Sequence, residues 1–234
     1  MAQSGSPDEN GPVPKKPCSE KEASDRIAQE KLFSFRRTAG RFNLLIGCTG
    51  SVASIKVPEI IGKIKETCND NSEKVEIRVV ATEKSLNFFD SSKLSVPIYT
   101  DKEEWSCWKA IGDPVVHIEL RRWADAMVLV PLDANSLAKI ANGLCDNLLT
   151  SVVRAWDNGK PLYFCPAMNT YMWNSPIVYK QVDTLKSLLG FREIPCVEKK
   201  LACGDEGLGA MASVGMIVSI VHSLVRNYFA VYTG

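Results

Sequence analysis

Four strand-length runs, each followed by a short polar loop and a stretch of helical periodicity, restrict the fold of this chain more than anything else in it. They are Phe42–Cys48, Lys74–Ala81, Ala126–Pro131 and Pro161–Cys165. Near-continuous apolarity, clearest in the third and fourth runs, marks strands buried on both faces, the situation of a parallel sheet covered by helices. Strands alternating with helices predict an α/β doubly wound parallel sheet, flavodoxin- or Rossmann-like, in a single domain over 41–234. In such a sheet ligands bind at the carboxyl ends of the strands, so the loops there are where function is to be sought.

The other regions expected from the sequence are less regular. Residues 1–40 read as a disordered or weakly ordered extension, rich in Pro, Gly, Ser and charge over Met1–Pro17, with a short helix expected over Ser24–Phe35. Such a tail is expected to be dispensable as far as residue 38. Leu94–Lys109 reads as irregular, and Phe191–Ile194 as a last, weak strand. Ser213–Tyr228 reads as a closing amphipathic helix.

Composition excludes several classes. Twenty-eight basic and 27 acidic residues leave a net charge of +1, without the basic excess of a nucleic-acid binder. No unbroken apolar run approaches the roughly 20 residues a bilayer requires, and the polar start carries no signal region. The eight cysteines show no CxxC pair or zinc spacing, and several fall inside expected strands or helices. These features predict a soluble cytoplasmic protein without a metal.

The polar loops carry the candidate chemistry. Gly50, Ser51 and Val52 lie in a small-residue turn between a strand and a helix, where backbone N–H groups and the helix dipole form an anion cradle. The turn lacks both GxGxxG and GxxxxGK[ST], so a phosphate here would belong to a mononucleotide rather than to NAD. Hydroxyls of Thr82 and Ser85 follow the second strand and offer either phosphate contacts or helix capping. Asp133, Ala134, Asn135 and Ser136 follow the third, at a helix start suited to the edge of a heterocycle or a ribityl chain.

Pro166-Ala167-Met168-Asn169-Thr170-Tyr171-Met172-Trp173 follows the fourth strand. Asn169 and Met172, three apart, would share one helical face beside a flat, partly polar ligand; Asn169 as a helix N-cap is the alternative. Of the two histidines, His222 lies in the closing helix. His117 lies on a segment leading into a strand and is the acid/base candidate. Lys199–Met211 holds three glycines in six residues, a mobile lid by composition, with Cys203 beside Lys199 and Lys200.

Five motifs occur in order: Gly50-Ser51-Val52-Ala53, His117-Ile118-Glu119-Leu120, Pro131-Leu132-Asp133-Ala134-Asn135-Ser136, Pro166 to Trp173, and Ala202-Cys203-Gly204-Asp205 through Gly209. In this order the chain resembles the homo-oligomeric flavin-containing cysteine decarboxylases over about residues 40–226. The third motif departs from the family's PASANT: Asp133 replaces a serine and Ser136 a threonine. The resemblance implies FMN, held by Gly50, Ser51, Val52, Thr82, Ser85, Asp133, Ala134, Asn135, Ser136, Ala167 and Met168. It implies His117 as base and Cys203 as acid, with Asn169, Met172, Ala202 and Gly204 around the substrate.

It further implies 4′-phosphopantothenoylcysteine as substrate, in coenzyme A synthesis, and a homotrimer with active sites between subunits. Relatives of the family also act as inhibitory subunits of a Ser/Thr phosphatase, usually with long acidic tails. This chain ends Phe229-Ala230-Val231-Tyr232-Thr233-Gly234, so phosphatase inhibition is the alternative and catalysis the main expectation.

Overall fold

The computed structural model describes residues 34–232, except 70–73, 109, 201–203 and 205. The expected short helix before Phe35 therefore lies outside the described residues, apart from Ser34 and Phe35, which are irregular. One compact unit runs Phe35–Gly234. Phe35 stacks on Tyr99 with ring centroids 5.9 Å apart. The Arg37 guanidinium bonds the Asp125 carboxylate at 2.6 Å.

The central sheet has six strands, all paired in parallel: β1 (Arg41–Cys48), β2 (Lys74–Ala81), β3 (Ile98–Tyr99), β4 (Ala126–Leu132), β5 (Leu162–Pro166) and β6 (Arg192–Glu193). Their order, β3-β2-β1-β4-β5-β6, is doubly wound. The order reverses between β1 and β4, and a crevice opens there at the carboxyl ends.

Period-2 alternation decides which side chains meet which helices. Phe42, Leu44, Ile46 and Cys48 of β1 share one cluster with Ile60 and Ile64 of α1 (Val57–Asn69) and with Ile217, Val221 and Val225 of α8 (Val214–Tyr232). On the other face Met127 and Leu129, with Leu149 of α5 (Leu148–Arg154), close around Gly47. About 25 cal/mol per Å² of such burial is the main force holding the sheet to its helices.

Helix boundaries correct several expectations. Val52–Lys56 is a 3₁₀ turn, and α1 begins only at Val57, with Pro58 in its first turn. Another 3₁₀ turn, Glu83–Asn87, follows β2. The expected irregular stretch holds β3 and α2 (Asp101–Cys107), which starts in a capping box of Thr100 and Glu103. The histidine segment is itself a helix, α3 (Val116–Trp123). Ala134–Ala141 (α4) is capped by Asp133. Thr170–Trp173 (α6) and Pro176–Asp183 (α7) follow β5.

Most of the described part of the expected mobile lid, Lys199–Met211, is strand. β7 (Val197–Lys200) and β8 (Glu206–Ala210) form an antiparallel hairpin outside the main sheet. One membrane expectation is also corrected. Val214–Val231 within α8 is long and apolar enough, by length and composition, to cross a membrane. Polar Ser219, His222, Ser223, Arg226 and Asn227 interrupt the run and hide it from a search for unbroken apolarity. Its Ile217, Val221 and Val225 are fully buried in the core.

Candidate active site

Thr49 organises the crevice between β1 and β4. Its hydroxyl donates to the Pro131 carbonyl at 2.8 Å and accepts the Asp133 N–H at 2.7 Å. Its own N–H also reaches Pro131, at 3.2 Å. The Thr82 N–H bonds the Cys48 carbonyl, and the Ala167 N–H bonds the Leu132 carbonyl. Four loops are thereby fixed side by side before any ligand arrives.

A polar cleft of about 640 Å³ opens over them, lined by Gly50, Ser51, Thr82, Asp133, Ala134, Asn135, Ser136, Ala167, Met168 and Met172, with Lys84, Lys139 and Asp101 among its other walls. A more apolar cleft of about 620 Å³ adjoins it, lined by Val52, Ile55, Asn169, Lys199 and the segment Gly209–Val214. The two share Ser51, Ala167 and Met168. Ten of the eleven expected cofactor residues line one or both clefts.

Ser85 is the exception. It is fully buried, and its hydroxyl donates to the Thr82 carbonyl at 2.6 Å, closing its own 3₁₀ turn. Of the two uses expected of Ser85, phosphate contact or capping, this bond is of the second kind. Asp133 lines the cleft, but its Oδ1 accepts the Ser136 N–H at 2.7 Å. The carboxylate that replaces a serine here therefore caps α4, and the N–H of Ser136 is used by that cap.

The cleft fits a flavin mononucleotide on two counts. The Thr82 hydroxyl oxygen is buried without a hydrogen-bond partner among protein atoms, an arrangement that costs about 1–3 kcal/mol unless a ligand completes it. Gly50 keeps the cradle open: a Cβ there would lie 3.1 Å from Lys84 Cβ and 3.3 Å from Asp133 Oδ2. A polar half and an apolar half, joined at Ser51 and Met168, match a ligand with a polar tail and a flat ring.

Asn169 and Met172 do not share a helical face. Helix α6 begins at Thr170, and Asn169 is its N-cap, with Oδ1 accepting the Tyr171 N–H at 2.8 Å. Asn169 consequently lines the apolar cleft and Met172 the polar one. Gly204 is exposed with a φ of 94° and lines neither. Ala202 and Cys203 lie outside the described residues.

His117 stands in the first turn of α3. Its Nδ1 is 2.6 Å from Glu104 Oε1, and its backbone N–H donates to Glu104 Oε2 at 3.1 Å. It lines neither cleft of its own chain. Glu104 was not visible as a site residue in the sequence, although the Thr-x-x-Glu box before it was a helix-start signal.

Comparisons with known proteins agree with this geometry. A family model described as Flavoprotein matches residues 33–226. A phosphopantothenoylcysteine decarboxylase of Mus musculus is 50% identical over 188 residues, covering 80% of this chain and 89% of that protein. A solved PPC decarboxylase, a cysteine-to-serine mutant complexed with pantothenoylaminoethenethiol, superposes with a TM-score of 0.70 at 48% identity, over 81% of this chain and 99% of that one. The FMN-binding protein AtHal3 superposes with a TM-score of 0.69 at 49% identity, over 80% and 98% of the two chains. The motif resemblance thus extends to the whole sheet, and the chain belongs to the Flavoprotein family.

Proposed function

We propose that this chain is an FMN-dependent decarboxylase that converts 4′-phosphopantothenoyl-L-cysteine to 4′-phosphopantetheine. The observation that carries this reading is the meeting of Gly50–Ser51, Thr82, Asp133–Ser136 and Ala167–Met172 around one pair of joined clefts. Loss of CO₂ from a cysteine carboxyl leaves an electron pair that no side chain here can absorb. FMN, when bound, supplies the two-electron oxidation that turns the CH₂–SH carbon into an electron sink and afterwards returns the hydride.

The protein's own residues position groups and move protons. Gly50, Ser51 and Thr82 would hold the phosphate end, and Ala167, Met168 and Val52 the ring. Asn169 would hold the substrate carboxylate, since the bond from Tyr171 N–H to Oδ1 fixes which end of the amide is the donor. His117 takes the proton released on oxidation, a placed base being worth about 10²–10⁴ in rate. Cys203 returns a proton to the product carbon.

The assembly proposed is a homotrimer, in which His117 of one copy serves the cleft of the next. Two features support this: His117 lines neither cleft of its own chain, and Trp105, Trp108, Ile111 and Val115, close to it in sequence, are each exposed. Sedimentation that returned only monomer would remove this part of the reading. A cytoplasmic location is proposed with it. The decisive assay incubates the purified, FMN-loaded protein with 4′-phosphopantothenoylcysteine and follows the product by mass spectrometry. Loss of CO₂ is expected, and an unaltered substrate refutes the function.

A further inference from the structure

We propose that Glu104 is a positioning residue for His117, holding the imidazole in the tautomer that leaves Nε2 as proton acceptor. The proposal rests on the reading of His117 as base. Its geometry involves both carboxylate oxygens. Oε1 lies 2.6 Å from His117 Nδ1, and Oε2 accepts the His117 backbone N–H at 3.1 Å. An ionised carboxylate can only accept, so Nδ1 is the ring's donor and carries a proton. In the neutral imidazole the lone pair then sits on Nε2.

Both elements are fixed independently of the pair. Glu104 belongs to α2, whose start is set by the Thr100–Glu103 capping box. Its side chain is only 12% exposed, so the bond to the ring is largely shielded from water. At the far end of α3, Lys160 Nζ donates to the carbonyls of Arg121, Arg122 and Ala124, the shortest of these bonds being 2.6 Å. With its far end held there, α3 leaves the ring chiefly rotation about its own side-chain bonds, and Glu104 removes that. The same carboxylate caps an open N–H in the first turn of α3. A purely structural role would end with that cap, so a test must read the ring itself.

Three variants and two readouts separate the possibilities. In FMN-loaded wild-type protein labelled with ¹⁵N-histidine, the two histidines of the chain give few signals. His117 is expected to show a protonated Nδ1 and an unprotonated Nε2. Glu104→Leu should release the ring to the Nε2–H tautomer and lower kcat by about 10²-fold or more, with KM and FMN content within twofold of wild type. Glu104→Gln, whose amide oxygen can still accept from Nδ1, should recover part of that loss. Should Glu104→Leu fail to fold, Glu104→Gln carries the test alone, with an expected kcat between wild type and His117→Asn.

If His117→Asn is inactive while the soluble Glu104 variants run at the wild-type rate, or if the wild-type ring carries its proton on Nε2, the proposal falls and the base assignment survives. If His117→Asn turns over normally, the base assignment falls and the proposal with it.

Discussion

The backbone N–H of Met168 donates to the carbonyl of Gly209 at 3.0 Å, which fastens the β7–β8 hairpin to the loop after β5. Gly209 has a φ of 135°, and a Cβ on it would lie 2.5 Å from the Met168 carbonyl oxygen. The glycine there serves close approach, a different use from the mobility its sequence context suggests. Gly209→Ala should cost about 1–3 kcal/mol from strain and weaken FMN retention, because Met168 lines both clefts. Gly190→Ala is the control for the clash: its φ of 72° strains an alanine as well, but no atom lies within 4 Å of the added Cβ, so the difference between the two variants reads the close approach at Met168. Denaturant melts of the two variants, with flavin absorbance after gel filtration, check the contrast. Equal stability and equal yellow colour would refute it.

Thr82 gives a prediction with two opposite signs. Its hydroxyl is buried without a protein partner, so Thr82→Val should leave the flavin-free protein as stable or more stable. The same change should weaken FMN binding by roughly 0.5–1.5 kcal/mol, the net worth of one hydrogen bond. Thermal melts with and without added FMN read both at once. A variant that loses apo stability and binds FMN normally would show that the hydroxyl has no ligand to meet.

The extent to which these features could be read from sequence follows from how local each signal is. β1, β4 and β5 were legible because a run of apolar residues needs no partner to declare itself, and β2 because Val75, Ile77 and Val79 alternate with charge at the strand period. Thr82 and Asp133 were legible as loop residues, but whether their oxygens faced a ligand or a backbone N–H depended on the next three residues' geometry. Asp133 turned out to cap Ser136. The hairpin was missed because Gly207 and Gly209 look like flexibility and act as clearance against Thr170 and Met168. Glu104 was missed because its bond to His117 spans 13 residues and both helices had to be docked before the pair existed.

Cys203 falls in sequence between Lys200 and Glu206, which pair across the hairpin. If it returns the proton that completes the product, Cys203→Ser should still release CO₂ but accumulate the oxidised aminoenethiol, with phosphopantetheine falling by two orders of magnitude or more. Product ratios by mass spectrometry decide. A normal phosphopantetheine yield would take the cysteine out of the reaction.

The N-terminal boundary is testable by paired truncations. Removing residues 1–33 should leave FMN content and melting unchanged. Removing 1–38, by contrast, deletes the Phe35–Tyr99 stack, the approach of Arg78 to Phe35 at 5.5 Å and the Arg37–Asp125 pair. With Arg37 partly exposed, the sum should be about 1–3 kcal/mol. Indistinguishable melts for the two truncations would mean that these contacts contribute nothing, and the original expectation of a dispensable tail through residue 38 would stand.

Cys48, at the end of β1, predicts how stability responds to alkali. Burial pushes its thiol from the ordinary 9.0 up to about 11, opposed by hydrogen bonds to Ser54 and Ser85 and reinforced by the nearby Asp133 carboxylate. The unfolded chain ionises this thiol near pH 9 while the folded chain keeps it neutral. The resulting stability is complete below pH 9 and drains away as pH rises from there toward 11. Cys48 alone accounts for roughly 2–3 kcal/mol of that decline. Cys196, raised to about 11 by its own burial, adds to it. Cys48→Ala should be weaker than wild type at pH 8 through lost packing, yet lose less on going to pH 10.5. Urea unfolding at the two pH values gives both differences. The same alkaline loss in the variant as in the wild type would mean that this buried thiol ionises in the folded protein as readily as in water.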